Sequence, residues 1–178
     1  TSEEGLITKD NLASAYKYLH NNFDDCYGGF GTFPKFPSPH NYSFLLRWYN
    51  ISFEEHALFM IRKSLKDIRS GGIFDQIGYG IHRYSTDEKW HVPHFEKMLY
   101  DQALIISANI EAFQQEQDIC FKETVFSVFE YLTKSLLSAE GAFFSAEDAD
   151  SEGKEGKFYF WDYNEIESLL TEDEFEFI

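Results

Sequence analysis

The sequence predicts an all-α fold built from pairs of helices joined by long loops, with one small β-ribbon. Three observations support this prediction. Apolar residues recur at helical spacing in six separate segments, capping and breaking residues bound those segments, and a long loop follows every second helix. With 178 residues and 43% hydrophobic content the chain can bury a core, so we expect residues 1–178 to form a single domain.

The first two helices lie on either side of a loop that glycine and proline keep irregular. Thr8 is a good N-cap, and apolar residues then follow helical spacing to about Asp24. The loop DDCYGGFGTFPKFPSP excludes regular structure. Ser38 is predicted to cap the second helix, with Pro39 at its first position.

The third and fourth helices flank a long segment rich in glycine and polar residues. Ser52 begins a capping box that ends at Glu55, so we expect the third helix to start there and to end at the Gly-Gly pair 71–72. The fourth helix is expected to begin after Pro93 and to end near Gln115, because apolar residues again recur at helical spacing.

A fifth and a sixth helix follow. Residues 121–136 have the spacing of a fifth helix, and a capping box at 162–165 opens the sixth. Between these helices we predict a small β-ribbon near 142–161. In this ribbon, Phe143-Phe144 would pair with the segment Phe158 to Trp161 around an acidic, glycine-rich tip.

The helices form a repeat of hairpins. The first, third and fifth helices end in Gly-Gly-Phe (28–30), Gly-Gly-Ile (71–73) and Gly-Ala-Phe (141–143), and each leads through a loop into the next helix. Such a repeat places its long loops on one face. A solenoid and a closed toroid would both do this, and a toroid would set the loops around a central pocket. Three hairpins would leave an apolar end face, so we expect an incomplete barrel that is part of a larger protein.

The composition argues against nucleic-acid and membrane partners and favours a cytoplasmic location. Because 31 acidic residues outnumber 15 basic ones, giving a net charge of −16, we expect no nucleic-acid or anionic-membrane partner. No apolar run approaches the roughly 20 residues that a membrane-spanning helix needs. Cys26 and Cys120 have no CxxC pattern, which favours reduced thiols and a cytoplasmic location.

The stretch from Ser70 to Asp101 concentrates residues that can carry chemistry. Proton abstraction beside a carbonyl and hydrolysis between two carboxylates both need titratable groups around a cavity with aromatic surfaces for a sugar ring. His94 and Glu96, at the predicted start of the fourth helix, are the catalytic candidates, although a helix would point them in different directions. The predicted substrate-binding residues are Asp75, His82, Arg83, Tyr84, Trp90, Asp101, Lys35, Asp148 and Asp150.

Each candidate also has a purely structural interpretation. Glu96 could stabilise the helix amino end, and His94 could bond to backbone. The remaining alternatives are an ion-pair set that stabilises the loop (Asp75, His82, Arg83), core aromatics (Tyr84, Trp90) and a solvated loop lysine (Lys35). The acidic tip could likewise be a solvated turn.

A metal site is the other alternative, and we predict none. His82, His91 and His94 with Asp75 have suitable atoms, but they lack the tight spacing of known metal motifs. The tip that begins at Asp148 resembles the opening of a calcium loop. Tyr159, however, stands at the twelfth position, where such a loop needs a bidentate glutamate.

Three stretches of this sequence resemble signature segments of one family: GGIFDQIGYGIHRYSTDEKWHVPHFEKMLYDQA, AEDADSEGKEGKFYFW and YGGFGTFPKFPSP. The family is the YyaL-type family that includes spermatogenesis-associated protein 20, and the resemblance covers essentially the whole chain. It implies the first half of an (α/α)6 toroid related to N-acylglucosamine 2-epimerases and six-hairpin glycosidases. The thioredoxin-like domain of that family is absent here, so no redox activity is implied.

The resulting hypothesis is a carbohydrate-active protein that resembles sugar epimerases or isomerases and uses acid/base catalysis in a toroid pocket. The alternatives are a six-hairpin glycoside hydrolase and a non-catalytic interaction module. We expect a small, sugar-like substrate and no cofactor. The other half of the toroid and the thioredoxin-like domain would be its partners in the larger protein, and this chain alone is expected to be inactive. An open pocket lined by the central stretch would favour an enzyme, whereas side chains bonded only to one another would favour the interaction module.

Overall fold

The structure is a computed structural model that describes residues 7–177. Within this range the helices are α1 (Lys9–Asn21), α2 (Pro39–Ser52), α3 (Glu55–Ser70), α4 (Leu99–Glu116), α5 (Ile119–Tyr131), α6 (Tyr163–Leu169) and α7 (Glu172–Phe175). A π-helical turn, Leu132–Leu136, extends α5. The strands are β1 (Tyr84–Ser85), β2 (Pro93–His94), β3 (Lys97–Met98), β4 (Ala146–Glu147), β5 (Asp150–Ser151) and β6 (Lys154–Glu155). The predicted class, helical hairpins with little β-structure, is confirmed.

The larger helices pack around a main hydrophobic core, and Tyr131, Leu132 and Leu136 form a second, smaller cluster. Consecutive helices pack as hairpins, α2 also contacts α4, and α3 also contacts α5. The core between them contains Tyr42, Leu45, Met60, Ile61 and Ala108, each at most 1% exposed. Within the described residues, none of the helices combines the length and the apolar character that crossing a membrane requires.

The predicted cap positions before α1 and α2 are correct, but only one of the two side chains caps its helix. The Thr8 hydroxyl accepts a hydrogen bond from the Asn11 backbone N–H, and the Asn11 side chain accepts one from the Thr8 N–H. Ser38 precedes α2 with Pro39 at the first helical position, as predicted. Its backbone is left-handed, with φ of 45°, and it makes no capping bond because an N-cap normally needs extended backbone.

The predicted capping box at the start of α3 is wrong. Ser52 is the last residue of α2, and its hydroxyl donates to the carbonyl of Trp48 at 2.8 Å. A serine in the last turn of a helix can bond back to the carbonyl four residues earlier, and the Ser52 oxygen also accepts a hydrogen bond from the Glu54 N–H at 3.3 Å. Glu54 takes the N-cap position of α3 and makes no side-chain capping bond.

The predicted start of the fourth helix is also wrong. Residues after Pro93 are extended, and α4 begins only at Leu99. Strand β2 pairs with β1, in the register Tyr84↔His94, and β3 pairs with β4, in the register Met98↔Ala146. Strands β1 and β4 thus bond to backbone N–H and C=O groups that would otherwise have bonded within a helix.

The ribbon within 142–161 is present, but its predicted pairing is wrong. Phe143 bridges Leu137 instead of pairing with the segment 158–161. The ribbon consists of β5 and β6, which are antiparallel and joined by Glu152-Gly153. Both of these residues have positive φ, 52° and 73°, as the two-residue hairpin turn requires. The acidic tip was therefore predicted correctly.

Candidate functional site

The extended backbone of residues 93–98 places alternate side chains on opposite faces. Phe95 and Lys97 point into the protein and are 9% and 1% exposed. His94 and Glu96 share the other face, where His94 Nε2 lies 3.8 Å from Glu96 Oε2. The expectation that these two side chains diverge is wrong, because it assumed a helix. The structure brings both catalytic candidates together.

His94 is held by two neighbours. Its Nδ1 lies 2.6 Å from Glu155 Oε1, and its ring stacks on Tyr84 with centroids 4.9 Å apart. A carboxylate only accepts hydrogen bonds, so Nδ1 carries a hydrogen, and in the tautomer with hydrogen on Nδ1 alone the lone pair is on Nε2. Sequence reasoning missed Glu155. Its signal was its place in the stretch AEDADSEGKEGKFYFW, where it looked like part of a solvated turn.

Glu96 is fixed by Arg83. The guanidinium Nη1 donates to Glu96 Oε2 at 2.8 Å, and the Arg83 backbone N–H donates to the Glu96 carbonyl, also at 2.8 Å. Arg83 Nε is buried and has no hydrogen-bond partner. Arg83, which was predicted to bind substrate, thus forms an ion pair with the carboxylate of Glu96.

Asp101 lies in the first turn of α4 beside this ion pair and is 8% exposed. Its Oδ2 is buried without a hydrogen-bond partner. Burial raises the pKa of the carboxyl to about 7; Arg83 opposes the rise and the charge of Glu96 adds to it. Together these side chains form what we call the His94 cluster: Arg83, Tyr84, His94, Glu96, Asp101 and Glu155.

The raised pKa of Asp101 predicts that stability falls as pH rises. The ordinary value is 3.8 and the folded value is about 7, so between them the folded state keeps a proton that the unfolded state has lost. Through Asp101, stability should fall by roughly 4 kcal/mol between about pH 4 and 7 and be unaffected by this group outside that window. His82 acts in the opposite sense, because its lowered pKa makes stability rise between about pH 4 and 6.5. The contribution of Asp101 is therefore the difference between wild type and Asp101→Asn in urea unfolding: from pH 5 to pH 8, wild type should lose more stability, or gain less, than the variant. An equal change in both proteins would contradict the assignment.

Asp75 belongs to a buried network on the other face. Its Oδ2 accepts from Lys97 Nζ at 2.8 Å, and Lys97 also donates to the carbonyl of Tyr79. The Lys97 amine lies over the rings of Tyr131 and Tyr159, at 4.6 and 5.0 Å. Asp75 therefore forms an ion pair that stabilises the loop, as its structural interpretation suggested. Its partner is Lys97 and not Arg83.

His82 lies at the floor of an open groove of about 640 Å³. It is 2% exposed, and its Nδ1 lies 3.1 Å from the carbonyl of Phe95. Burial and the nearby Lys97 lower its pKa to about 4, so the ring is neutral at pH 7. The groove walls are mostly aromatic and include the segment 158–161. His94 and Glu96 do not line this groove.

The side chains of Lys35 and Trp90 are buried between loops. This burial contradicts the substrate-binding role that the sequence predicted for both residues. Each is 0% exposed. Lys35 Nζ donates to Asp24 Oδ2 at 2.6 Å, and Trp90 Nε1 donates to the carbonyl of Tyr27 at 2.7 Å. Lys35 also lies over the Trp90 ring at 4.9 Å, so it does not solvate its loop.

The acidic ribbon brings one further predicted residue near the cluster. Asp150 pairs with Glu155 across β5 and β6, and Asp148 accepts a hydrogen bond from the Asp150 N–H. Both aspartates are exposed. In the part of the chain that the structure describes, no group of three or more His, Cys, Asp or Glu residues is arranged to hold a metal ion.

The chain has clear relatives among known proteins, although no family model matches it. It is 42% identical over 167 residues to human spermatogenesis-associated protein 20, covering 88% of this chain and 21% of that protein. It is 35% identical over 176 residues to an uncharacterised protein of Caenorhabditis elegans, covering 92% of this chain and 24% of the relative. The chain thus spans about a fifth to a quarter of the length of these curated relatives.

Solved structures of low sequence identity share the fold. Cellobiose 2-epimerase from Bacillus thermoamylovorans has a TM-score of 0.66 at 14% identity, with 78% of this chain and 40% of that chain covered. A sugar epimerase from a ruminal bacterium has a TM-score of 0.64 at 17% identity, covering 80% and 44%. These neighbours are (α/α)6 toroids. Over the segment that it shares with these relatives, the chain is similar to spermatogenesis-associated protein 20, and it has the fold of part of such a toroid.

Proposed function

We propose that the His94 cluster performs acid/base chemistry on the carbonyl end of a sugar, as an epimerase or isomerase. One observation carries the proposal: His94 Nδ1 is held at 2.6 Å by Glu155, which leaves Nε2 as a base on the face shared with Glu96. The likeness of the fold to cellobiose 2-epimerase and to a bacterial sugar epimerase supports the choice of a sugar.

The chemistry assigns a role to each group. His94 Nε2 takes the proton from the carbon beside the carbonyl, and the electron pair moves to the carbonyl oxygen to form an enediolate. Arg83 has N–H donors beside Glu96 that can stabilise the developing negative charge. For epimerisation, water or an acid from the hairpins that complete the pocket returns a proton to the opposite face of that carbon, and His94 passes its proton to solvent. For isomerisation, the His94 imidazolium returns its proton to the neighbouring carbon, and the proton of the adjacent hydroxyl passes to the former carbonyl oxygen. Tyr84 stacks on His94 and keeps the imidazole in place.

We further propose that this chain, as one domain, supplies the first half of a toroid whose other hairpins complete the pocket. The chain covers 40% of the cellobiose 2-epimerase, which is close to the half of a toroid that it would supply. A cytoplasmic setting and a thioredoxin-like neighbouring domain remain part of the proposal, as does the expectation that the chain alone is inactive.

Glycoside hydrolysis is the second candidate. Asp101 holds a proton near neutral pH beside the carboxylate of Glu96, and a protonated and an ionised carboxyl are the two groups that glycosidases need. The two activities differ in product, because hydrolysis releases a new reducing end whereas epimerisation conserves the number of reducing ends.

The test is a product analysis. A panel of aldoses, ketoses and disaccharides is incubated with this chain and, in parallel, with the longest natural polypeptide that contains it. Sugars are then resolved by NMR. A C2 epimer or an aldose–ketose pair supports the proposal, and new reducing ends support the hydrolase instead. If every sugar in the panel is recovered unchanged from both polypeptides, the cluster is not a sugar-converting site and the interaction module is favoured.

Glu155→Gln should slow the reaction about 10- to 100-fold, because groups that orient an active side chain usually contribute that much. Glutamine keeps the size of the side chain but no longer stabilises an imidazolium at His94. The rate is measured against Glu152→Gln, a change in the exposed hairpin turn of the same ribbon. Equal rates for the two variants would show that Glu155 does not support His94.

A further inference from the structure

We propose that the open groove over His82 is a second ligand site, which binds a neutral, flat aromatic molecule that carries one N–H or O–H donor. The groove has a volume of about 640 Å³, and small-molecule sites usually measure about 300–1,000 Å³. It lies beside Phe95, on the opposite face of the strand segment 93–98 from His94 and Glu96. The inference therefore does not depend on the proposed function.

The walls of the groove are formed by apolar side chains from three segments. Ile77 comes from the loop after α3, and Val92 comes from the segment before β2. Phe160 and Trp161 come from the stretch after β6. Each of these four side chains is at least 50% exposed, and a contiguous apolar surface of this kind is typical of a binding site. Aromatic walls favour a flat ring, because paired rings attract each other beyond the area that they bury.

The floor of the groove offers a hydrogen-bond acceptor. His82 Nδ1 lies 3.1 Å from the carbonyl of Phe95, and a carbonyl only accepts, so Nδ1 carries the hydrogen of the neutral ring. Nε2 then holds the lone pair. It has no hydrogen-bond partner among residues 7–177, and it keeps a small contact with the open space of the groove. The rings of Phe95 and Tyr159 pack edge-on against the imidazole and hold its orientation.

Two other polar side chains of the groove are already bonded within the chain. Asp75 Oδ2 accepts from Lys97 Nζ, and Oδ1 accepts from two backbone N–H groups. The amide of Gln76 bonds to the side chain and the carbonyl of Arg69. A sugar or an ion would lose many bonds to water here and regain few, which is costly. A neutral aromatic molecule with one donor for His82 avoids that cost.

The test compares indole with N-methylindole, which has the same ring system but no N–H. Each is titrated at pH 7 into the ¹⁵N-labelled chain, and both should shift amide signals of the three wall segments. Indole alone should move the Nε2 signal of His82 towards the value of a protonated nitrogen, because its N–H donates to that atom. The preference for indole should be about 3- to 10-fold smaller in His82→Phe than in wild type, the usual contribution of one hydrogen bond.

Two exposed phenylalanines provide a matched check that does not disturb the buried imidazole. Phe160→Ser, in the groove wall, should weaken binding of both molecules by about 2- to 10-fold. Phe126→Ser, on α5 and equally exposed, should change neither affinity. Amide spectra show whether each variant is folded, and the Nε2 signal of wild type decides the role of His82 if His82→Phe does not fold.

Three outcomes would overturn the inference. The first is that neither molecule shifts the wall signals. The second is that indole binds but leaves the Nε2 signal of His82 unchanged, since the floor would then recognise no donor. The third comes from calorimetry with the longest natural polypeptide that contains this chain. If indole binds the chain but not that polypeptide, other segments fill the groove and it is not a ligand site.

Discussion

Replacing Lys97 with methionine is expected to destabilise the folded chain by about 3–5 kcal/mol, the usual cost of removing one partner of a buried ion pair. Methionine fills a similar volume, so packing between Tyr131 and Tyr159 is largely kept. The loss arises because Asp75 would retain a charge that is largely buried and no longer compensated. Urea unfolding monitored by circular dichroism measures the change.

A double variant isolates the cause. Asp75→Asn combined with Lys97→Met removes both charges, while asparagine can still accept the hydrogen bonds that Asp75 Oδ1 takes from the backbone N–H groups of Ile77 and Gly78. This double variant should regain most of the stability lost in Lys97→Met. If the single and double variants are equally unstable, the loss comes from the contacts of the lysine chain and not from the unpaired charge.

Replacing His94 with asparagine is expected to lower the rate of sugar conversion by about 10²- to 10⁴-fold, the usual contribution of a general base. Asparagine can keep a hydrogen bond to Glu155 but has no nitrogen lone pair that accepts a proton. Substrate affinity should change little, so the loss should appear in kcat more than in KM. Initial rates with the best sugar of the panel measure it.

His91→Asn is the matched control for this variant. His91 is an exposed imidazole three residues before His94, and it lines the groove on the other side of the strand segment. Its replacement should leave the rate within about twofold of wild type, since it touches none of the cluster. Equal losses in both variants would mean that the groove, and not the His94 cluster, is the reacting site.

The helices could be predicted because their signals are local. Apolar spacing, Thr8 before α1 and the Gly-Gly pair after α3 all act within a few residues. Gly72 illustrates why the pair is needed: a Cβ there would lie 2.1 Å from the carbonyl oxygen of His91, so the loop can close only over glycine. The hairpin repeat and the fold class followed from these signals.

The site could be predicted only in part because its geometry depends on distant pairing. The segment 93–98 is extended because residues 84–85 and 146–147 pair with it, and no local signal announces those partners. The sequence therefore identified His94 and Glu96 but placed them on a helix. Glu155 was missed for the same reason, since 61 residues separate it from His94.

The buried loop residues show a second limit. Lys35 looked like a solvated lysine because its neighbours in sequence are proline and phenylalanine. Its partner Asp24 lies eleven residues earlier in the same loop, and the ring of Trp90 comes from the long segment after α3. Long amphipathic side chains can lie in a core when the charge is paired, and only tertiary structure shows that pairing.

The most direct test of the central claim is the position of deuterium in the product. The longest natural polypeptide that contains this chain is incubated in D₂O with a sugar that carries ordinary hydrogen at C2. NMR then shows whether the product carries deuterium on the carbon beside the carbonyl. If His94 removes that proton, the product contains deuterium at this carbon and the label fails to appear with His94→Asn. A product that retains its original hydrogen, or labelling that is as fast in His94→Asn as in wild type, would contradict the account.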